Sequence, residues 1–388
     1  LTSELFGTLF ARGAAAGAAS DEAWLRAMLR AEAALAEAAA EMGAVSEEAA
    51  ANVAAAADPD HFDLAAVAAS AARIGNPVAG IVDRLRELVP EAHRPVVHYG
   101  ATSQDILDTA MMLVAKDAVA AIRRELRECA AAALDTAAGL DESPPMWGRT
   151  LLQQAEPIGF SDLILTWERA LTAAEQALGV LRFPASLAGP VGVSWGKPGL
   201  RRQPDSETPI AEPGPEDLPA DIGTAVEQRP ERAMGLRERY AARLDLDTAP
   251  GSWHTNRSPV VRIGAAAAEA AGTCGKIAID IILLSQNEIG EVSEARGGGS
   301  TSMPHKRNPV AATAARACAT RTPGLVATLF AAMPQELQRS PGLWHSEWET
   351  LADLLRLTGS AAAWLRESLE GLRVHPEAMR RNLEGAPE

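Results

Sequence analysis

At 388 residues the chain is long enough for a large core and for two or three domains. Its formal net charge of −15 argues against nucleic acid or an anionic membrane as the main partner, so an anionic ligand would have to be held by a local basic cluster. Aromatics are only 4% of the residues, alanine is abundant and no convincing period-two alternation recurs, which together predict an all-α protein.

Cys129, Cys274 and Cys318 are odd in number, lack CxxC spacing and sit in Ala-rich helical stretches. They are expected to be buried free thiols, not disulfides or metal ligands. No secretory leader pattern opens the chain and no run of about 18 apolar residues suggests a membrane span, so a cytoplasmic location is expected.

Along the chain, Asp21 is the expected N-cap of a helix reaching about Met42, with Trp24, Leu25, Met28 and Leu29 on its apolar side. Helices are predicted from about Leu64 to Ala72 and from Val78 to Leu88, separated by Gly75-Asn76-Pro77. The first dense polar stretch runs from His98 to Asp105. Thr102, Ser103 or Asp105 in it either cap the long helix that follows, to about Ala138, or bind a ligand. Gly148 to Ala155, with Arg149, Thr150 and Gln153, is a second polar stretch, read as a loop before a helix at about 158–181.

A Pro-, Glu- and Asp-rich run at about 195–232 reads as a surface insertion, or as a lid carrying Arg201 and Arg202. Trp253 to Arg257 is the third polar stretch, with His254 and Asn256. Ser258 is the expected cap and Pro259 the start of the longest helix, to about Glu294. The later half of that helix is apolar nearly all round, which calls for burial in a large bundle or between subunits. Helices at about 105–138, 159–181, 259–294 and 309–332 make an elongated bundle. The domain division expected is 1–104, 105–345 and a short C-terminal helical segment, 346–388.

The stretch from Gly297 to Pro309, GGGSTSMPHKRNP, is the most telling. Three glycines give the backbone freedom, Ser300, Thr301 and Ser302 supply hydroxyls, and His305, Lys306, Arg307 and Asn308 supply cations and an amide. That order of residue types suits an anionic substrate.

These stretches together resemble the fumarase/aspartase superfamily. GGGSTSMPHKRNP is similar to its signature loop, and HYGATSQDILDTA and GRTLLQQAEP to its first two conserved regions. Gly75 to Val78, the WHTNR run at 253–257, Gln286 to Glu291 and GLWHSEW at 342–348 point to the 3-carboxy-cis,cis-muconate cycloisomerase branch. The resemblance implies a homotetramer with a 20-helix core, sites shared between three subunits, a small polycarboxylate substrate, and no metal or organic cofactor. The shared chemistry is proton transfer beside a carboxylate through an aci-carboxylate intermediate. Thr301 or Ser302 is then the base. Lys306 and Asn308 hold the developing charge, Thr102 and Ser103 take a second carboxylate, and Arg149, Thr150, Gln153, His254, Asn256 and Arg257 are further substrate contacts.

The departures from the family pattern matter too. Thr301 stands where relatives carry the catalytic serine. Leu151 and Gln154 occupy the two places where a histidine is found, and Thr313 replaces its glutamate partner. A glycine-rich GGAAGT-like segment is reduced to LAGPVGV at 187–193. Three functions follow as alternatives: cycloisomerisation of a 3-carboxymuconate type substrate, β-elimination from a substituted succinate with release of fumarate, as in nitrosuccinate lyases, or a catalytically silent structural oligomer.

Overall fold

The computed structural model describes residues 4–192, 235–299, 303 and 306–385. The acidic insertion with Arg201 and Arg202, and the loop residues Thr301 and Ser302, lie outside them.

The all-α expectation holds: among the described residues the only strands are short two-stranded pieces between the helices. The chain opens with α1 (Glu4–Phe10), α2 (Ala14–Ala18) and α3 (Asp21–Glu41). Asp21 is the first residue of α3 and not its cap. The Ser20 hydroxyl accepts the Ala23 N–H at 3.2 Å, while Asp21 lies in the first turn, where negative charge suits the helix dipole. Next comes α4 (Glu47–Ala56), capped by Ser46. It is followed by α5 (Leu64–Ile74), ended by Gly75 at φ 92°, and α6 (Val78–Leu88).

The longest described helix is α7 (Ser103–Ala138), at 36 residues. After it, β1 (Pro145–Thr150) and β2 (Gln153–Gly159) form an antiparallel hairpin where the sequence predicted a loop. Then follow α8 (Phe160–Gly179), β3 (Pro184–Ala185), α9 (Leu236–Arg243) and β4 (Asp247–Thr248), with β3 and β4 parallel.

The expected 36-residue span from Pro259 to Glu294 is interrupted: α10 (Ser258–Leu284) stops ten residues early. Two polar side chains turn back on its last carbonyls, Ser285 Oγ to Ile282 O at 3.0 Å and Gln286 Nε2 to Leu283 O at 2.9 Å. Gly290 at φ 59° then reverses the chain. At the other end Ser258 is the first helical residue and no cap; Asn256 Oδ1 accepts from the Ser258 hydroxyl at 2.8 Å.

β5 (Val292–Glu294), β6 (Gly298–Gly299) and β7 (Arg307–Asn308) lead into α11 (Val310–Ala331), α12 (Leu343–Glu370), β8 (Leu372–Val374) and α13 (Pro376–Glu384). β6 pairs with β7 and β5 with β8, both antiparallel.

The chain divides into two compact units. The first comprises residues 1–28, 109–183 and 255–388, and in it α10, α11 and α12 pack on one another, with α8 against α10. The small residues of α10 permit this closeness. A Cβ added at Gly264 would meet Leu329 Cδ1 at 2.4 Å. Its later half buries Ile277, Ala278, Ile281 and Leu284, while Ile279, Ile282 and Leu283 stay half-buried in the single chain. The three cysteines are free and buried, as expected, and burial pushes Cys274 and Cys318 up to about 12.

The second unit comprises residues 29–108 and 184–254. Its core includes Leu35, Val53, Ile81, Leu85, Ile106 and Tyr240, all fully buried.

Candidate active site

In the second unit the first and third polar stretches meet on one carboxylate. Asp105 is the third residue of α7. It accepts the Thr102 N–H at 3.1 Å, the reciprocal half of a capping box. It also accepts the Ser186 hydroxyl at 3.2 Å, the Ala188 and Gly189 N–H groups at 2.8 and 2.9 Å, and His254 Nε2 at 2.7 Å. Beside it, Gln104 Nε2 donates to His254 O at 2.8 Å. One fully buried carboxylate thus fixes the start of α7, the 186–189 segment and the His254 ring. Thr102 and Ser103 remain half-buried at the N-terminus of α7, where N–H groups point outward and negative charge is favoured.

His98 lies in the same unit, at φ 63°. Its Nδ1 is 2.6 Å from Glu32 Oε1, and its N–H donates to Glu32 Oε2 at 3.1 Å. Burial works against the charged ring, but the Glu32 carboxylate, by charge and hydrogen bond and with help from Asp105, outweighs it and holds the His98 pKa above its ordinary value.

The first unit holds the remaining candidates. Arg149 on β1 donates twice to Glu291, at 3.0 and 2.8 Å, and once to Trp147 O at 3.1 Å; Asn382 Nδ2 adds a bond to the same carboxylate at 2.8 Å. Thr150 and Gln153 face each other across the exposed hairpin tip. Between them Leu151 and Leu152 lie at φ 52° and 64°, and are 97% and 68% exposed. Arg257 is fully buried, its Nε and Nη2 on Glu347 at 2.9 and 2.6 Å, and Gln335 Nε2 reaches Glu347 Oε1 at 2.9 Å. Neighbouring Asn256 is exposed, its backbone bridged to Pro334.

The glycine-rich loop is closed by a short hairpin, Gly298 opposite Asn308 and Gly299 opposite Arg307. Lys306 is exposed and Asn308 half-buried; Lys306 N–H donates to Met303 O at 3.0 Å. Just before the loop, the Glu294 carboxylate receives the Ala311 and Ala312 N–H groups at 3.0 and 2.8 Å and the Ser368 hydroxyl at 2.6 Å. Thr313 is exposed, its hydroxyl donating to Pro309 O at 2.7 Å.

The structure thus brings Thr102, Ser103 and His254 together. It places Arg149 and Arg257 on carboxylates of their own chain, and displays Lys306, Thr150, Gln153 and Asn256 at the surface. Sequence reasoning missed the carboxylates that do this anchoring: Glu32, Glu291, Glu294 and Glu347, and the full role of Asp105, read only as a possible cap. Asp105 itself closes the first polar stretch, Glu294 stands three residues before Gly297, and Glu291 and Glu347 fall in the runs 286–291 and 342–348; Glu32 has no such signal.

The described residues form long helices that carry hydroxyl, amide and cationic groups at helix ends and hairpin loops. The sequence profile of the lyase family matches residues 11–194 and 219–324. Among curated proteins, the nitrosuccinate lyase of Streptomyces davaonensis is 39% identical over 93% of this chain and 73% of its own length. The 3-carboxy-cis,cis-muconate cycloisomerase of Pseudomonas putida is 38% identical over 99% of this chain and 85% of its own. Among solved structures, the 3-carboxy-cis,cis-muconate lactonizing enzyme from Pseudomonas putida superposes with a TM-score of 0.82 at 36% identity, covering 99% of this chain and 80% of that one. A fumarate lyase from Mesorhizobium sp. BNC1 superposes at 0.77 with 26% identity, covering 96% and 78%. The chain belongs to the fumarase/aspartase superfamily of lyases, in its 3-carboxy-cis,cis-muconate cycloisomerase-like branch. No helix among the described residues is long and apolar enough to cross a membrane.

Proposed function

We propose that the protein acts on a small polycarboxylate by proton transfer at a carbon beside a carboxylate, with a 3-carboxy-cis,cis-muconate type substrate as the leading case. In the lactone-forming direction a substrate carboxylate oxygen adds to one end of a double bond, and the adjacent carbon gains a proton. That carbon bears a carboxylate which passes through an aci-carboxylate, and its doubled charge needs donors already in place. Lys306 and Asn308 supply them, Thr102 and Ser103 take a second carboxylate at the α7 N-terminus, and the Thr301 or Ser302 hydroxyl moves the proton. Asn256, Thr150 and Gln153 contribute further polar contacts, while His254, buried with its ring on Asp105, serves as a support.

The observation that carries this reading is the exposed display of Lys306 beside half-buried Asn308 at the base of a closed glycine-rich loop. Arg149 and Arg257, whose charges are met internally, serve as supports. A homotetramer with sites shared between three subunits belongs to the same proposal. Ile279, Ile282 and Leu283 on α10 support it, as apolar side chains that one chain covers only in part.

A second reading is elimination from a substituted succinate, such as nitrosuccinate giving fumarate and nitrite. It is favoured by exposed Leu151, Gln154 and Thr313 standing where a His–Glu pair would assist a poorer leaving group. Purified protein offered 3-carboxy-cis,cis-muconate should consume the diene absorbance and yield lactone; fumarate plus nitrite from nitrosuccinate would select the second reading instead. In either case Lys306→Ala should lower kcat by about 10²–10³-fold, the loss expected on removing a preorganised donor. Parent-like turnover by that variant would remove Lys306 from the site.

A further inference from the structure

We infer that Glu294 is a positioning residue for the glycine-rich loop, setting the placement of Lys306 and Asn308; the catalytic part of this claim rests on the polycarboxylate reading above. The first turn of a helix carries N–H groups with no partner inside the helix. For α11 the usual remedy is missing, because the cap position is Pro309, which makes no side-chain bond. Glu294 supplies it from outside the helix, through the Ala311 and Ala312 N–H groups. A negative carboxylate on a helix N-terminus is doubly favoured, by charge-assisted bonds and by the dipole. The Ser368 hydroxyl from α12 fixes the same carboxylate, which is only 9% exposed.

The position of Glu294 in the chain gives this cap its consequence. It ends β5, and β6 begins four residues on, at Gly298. β6 pairs with β7, and β7 runs through Pro309 into α11. Glu294 therefore ties the strand entering the loop to the helix leaving it, and α12 braces the tie. The two arms are close: a Cβ on Gly298 would lie 2.3 Å from Val310 Cγ2. Releasing the carboxylate frees both arms at once, and misplacing a reacting-group contact by about 1 Å can cost roughly 10²-fold in rate.

Limited trypsin digestion of the folded protein provides a readout independent of substrate, since Arg296, Lys306 and Arg307 are exposed on the two arms. Parent, Glu294→Ala, Glu294→Gln and Ser368→Ala are compared by mass spectrometry of the cut sites and by kcat and KM. In Glu294→Ala, cutting at these three residues should rise roughly tenfold, the equivalent of one lost charge-assisted hydrogen bond. Cutting after Arg84, which pairs with Glu87 in the other unit, should not change. Turnover should fall about tenfold or more with a smaller change in KM. Glu294→Gln, which keeps one carbonyl acceptor, and Ser368→Ala should fall between parent and Glu294→Ala, and they carry the comparison if Glu294→Ala does not fold. Loop cutting within about twofold of parent, or a rise shared equally by Arg84, would overturn the inference. A parent inactive on every polycarboxylate would defeat the functional reading, while the digestion would still decide whether Glu294 holds the loop.

Discussion

At the scale of single residues, the chain shows where cations and hydroxyls cluster more readily than which of them are already engaged. Arg257 and its partner Glu347 are 90 positions apart, and Arg149 and Glu291 are 142 apart, so no local pattern reveals either pair. The residue types that suit a carboxylate substrate suit a buried glutamate equally well, and only the fold decides between them. Lys306 could be singled out because its neighbourhood is local: glycines, hydroxyls and amide lie within one short loop. His98 and Glu32 form another long-range pair, and this one carries a pH signature. The folded His98 pKa is raised, so the pair contributes its stability in full below the unfolded value of about 6.5 and loses it as pH rises through the higher folded value. His98→Gln should therefore be more destabilised relative to parent at pH 6 than at pH 9 when both are unfolded in urea. An equal deficit at the two pH values would mean that His98 does not gain its proton on folding.

At the scale of elements, the long helices were legible and the β1–β2 hairpin was not. The extents of α6, α7 and α11 follow from Ala-rich composition, apolar periodicity and a polar stretch or proline at each start. The end of α10 differs from the expectation because the Ser285 and Gln286 side chains fold back on its last carbonyls and Gly290, at φ 59°, turns the chain away. The hairpin escaped notice because its turn lacks the usual signal. A two-residue turn with both φ values positive prefers Asn-Gly, and here it is Leu151-Leu152. Two bulky residues in the left-handed region at an exposed tip are a local strain of about 1–3 kcal/mol each, and such strain gathers at functional sites. The double substitution Leu151→Asn with Leu152→Gly, which installs the preferred turn pair, should raise stability by about 1 kcal/mol or more. Denaturant titration measures this, and the same variant assayed for turnover shows whether the tip serves the reaction. A gain in stability with lost turnover would make the strained leucines functional; no gain would mean that the turn carries no strain.

At the scale of the whole molecule, the candidate groups are divided between two units of the chain: Thr102, Ser103 and His254 in one, and Lys306, Asn308, Asn256 and the hairpin in the other. The sequence order of the polar stretches carries no information on which copies of the chain combine them. Shared sites in a symmetric oligomer make a prediction that separates the possibilities. Thr102→Ala and Lys306→Ala should each be nearly inactive alone. If one site draws these two residues from different subunits, co-refolding the variants in equal amounts restores both native side chains in about one quarter of the sites, and activity returns to about that fraction of the parent's. If both residues of a site come from a single chain, every site keeps one defect and nothing returns. Sedimentation of the same mixtures, showing tetramers throughout, ties the recovered activity to exchange of subunits within the assembly.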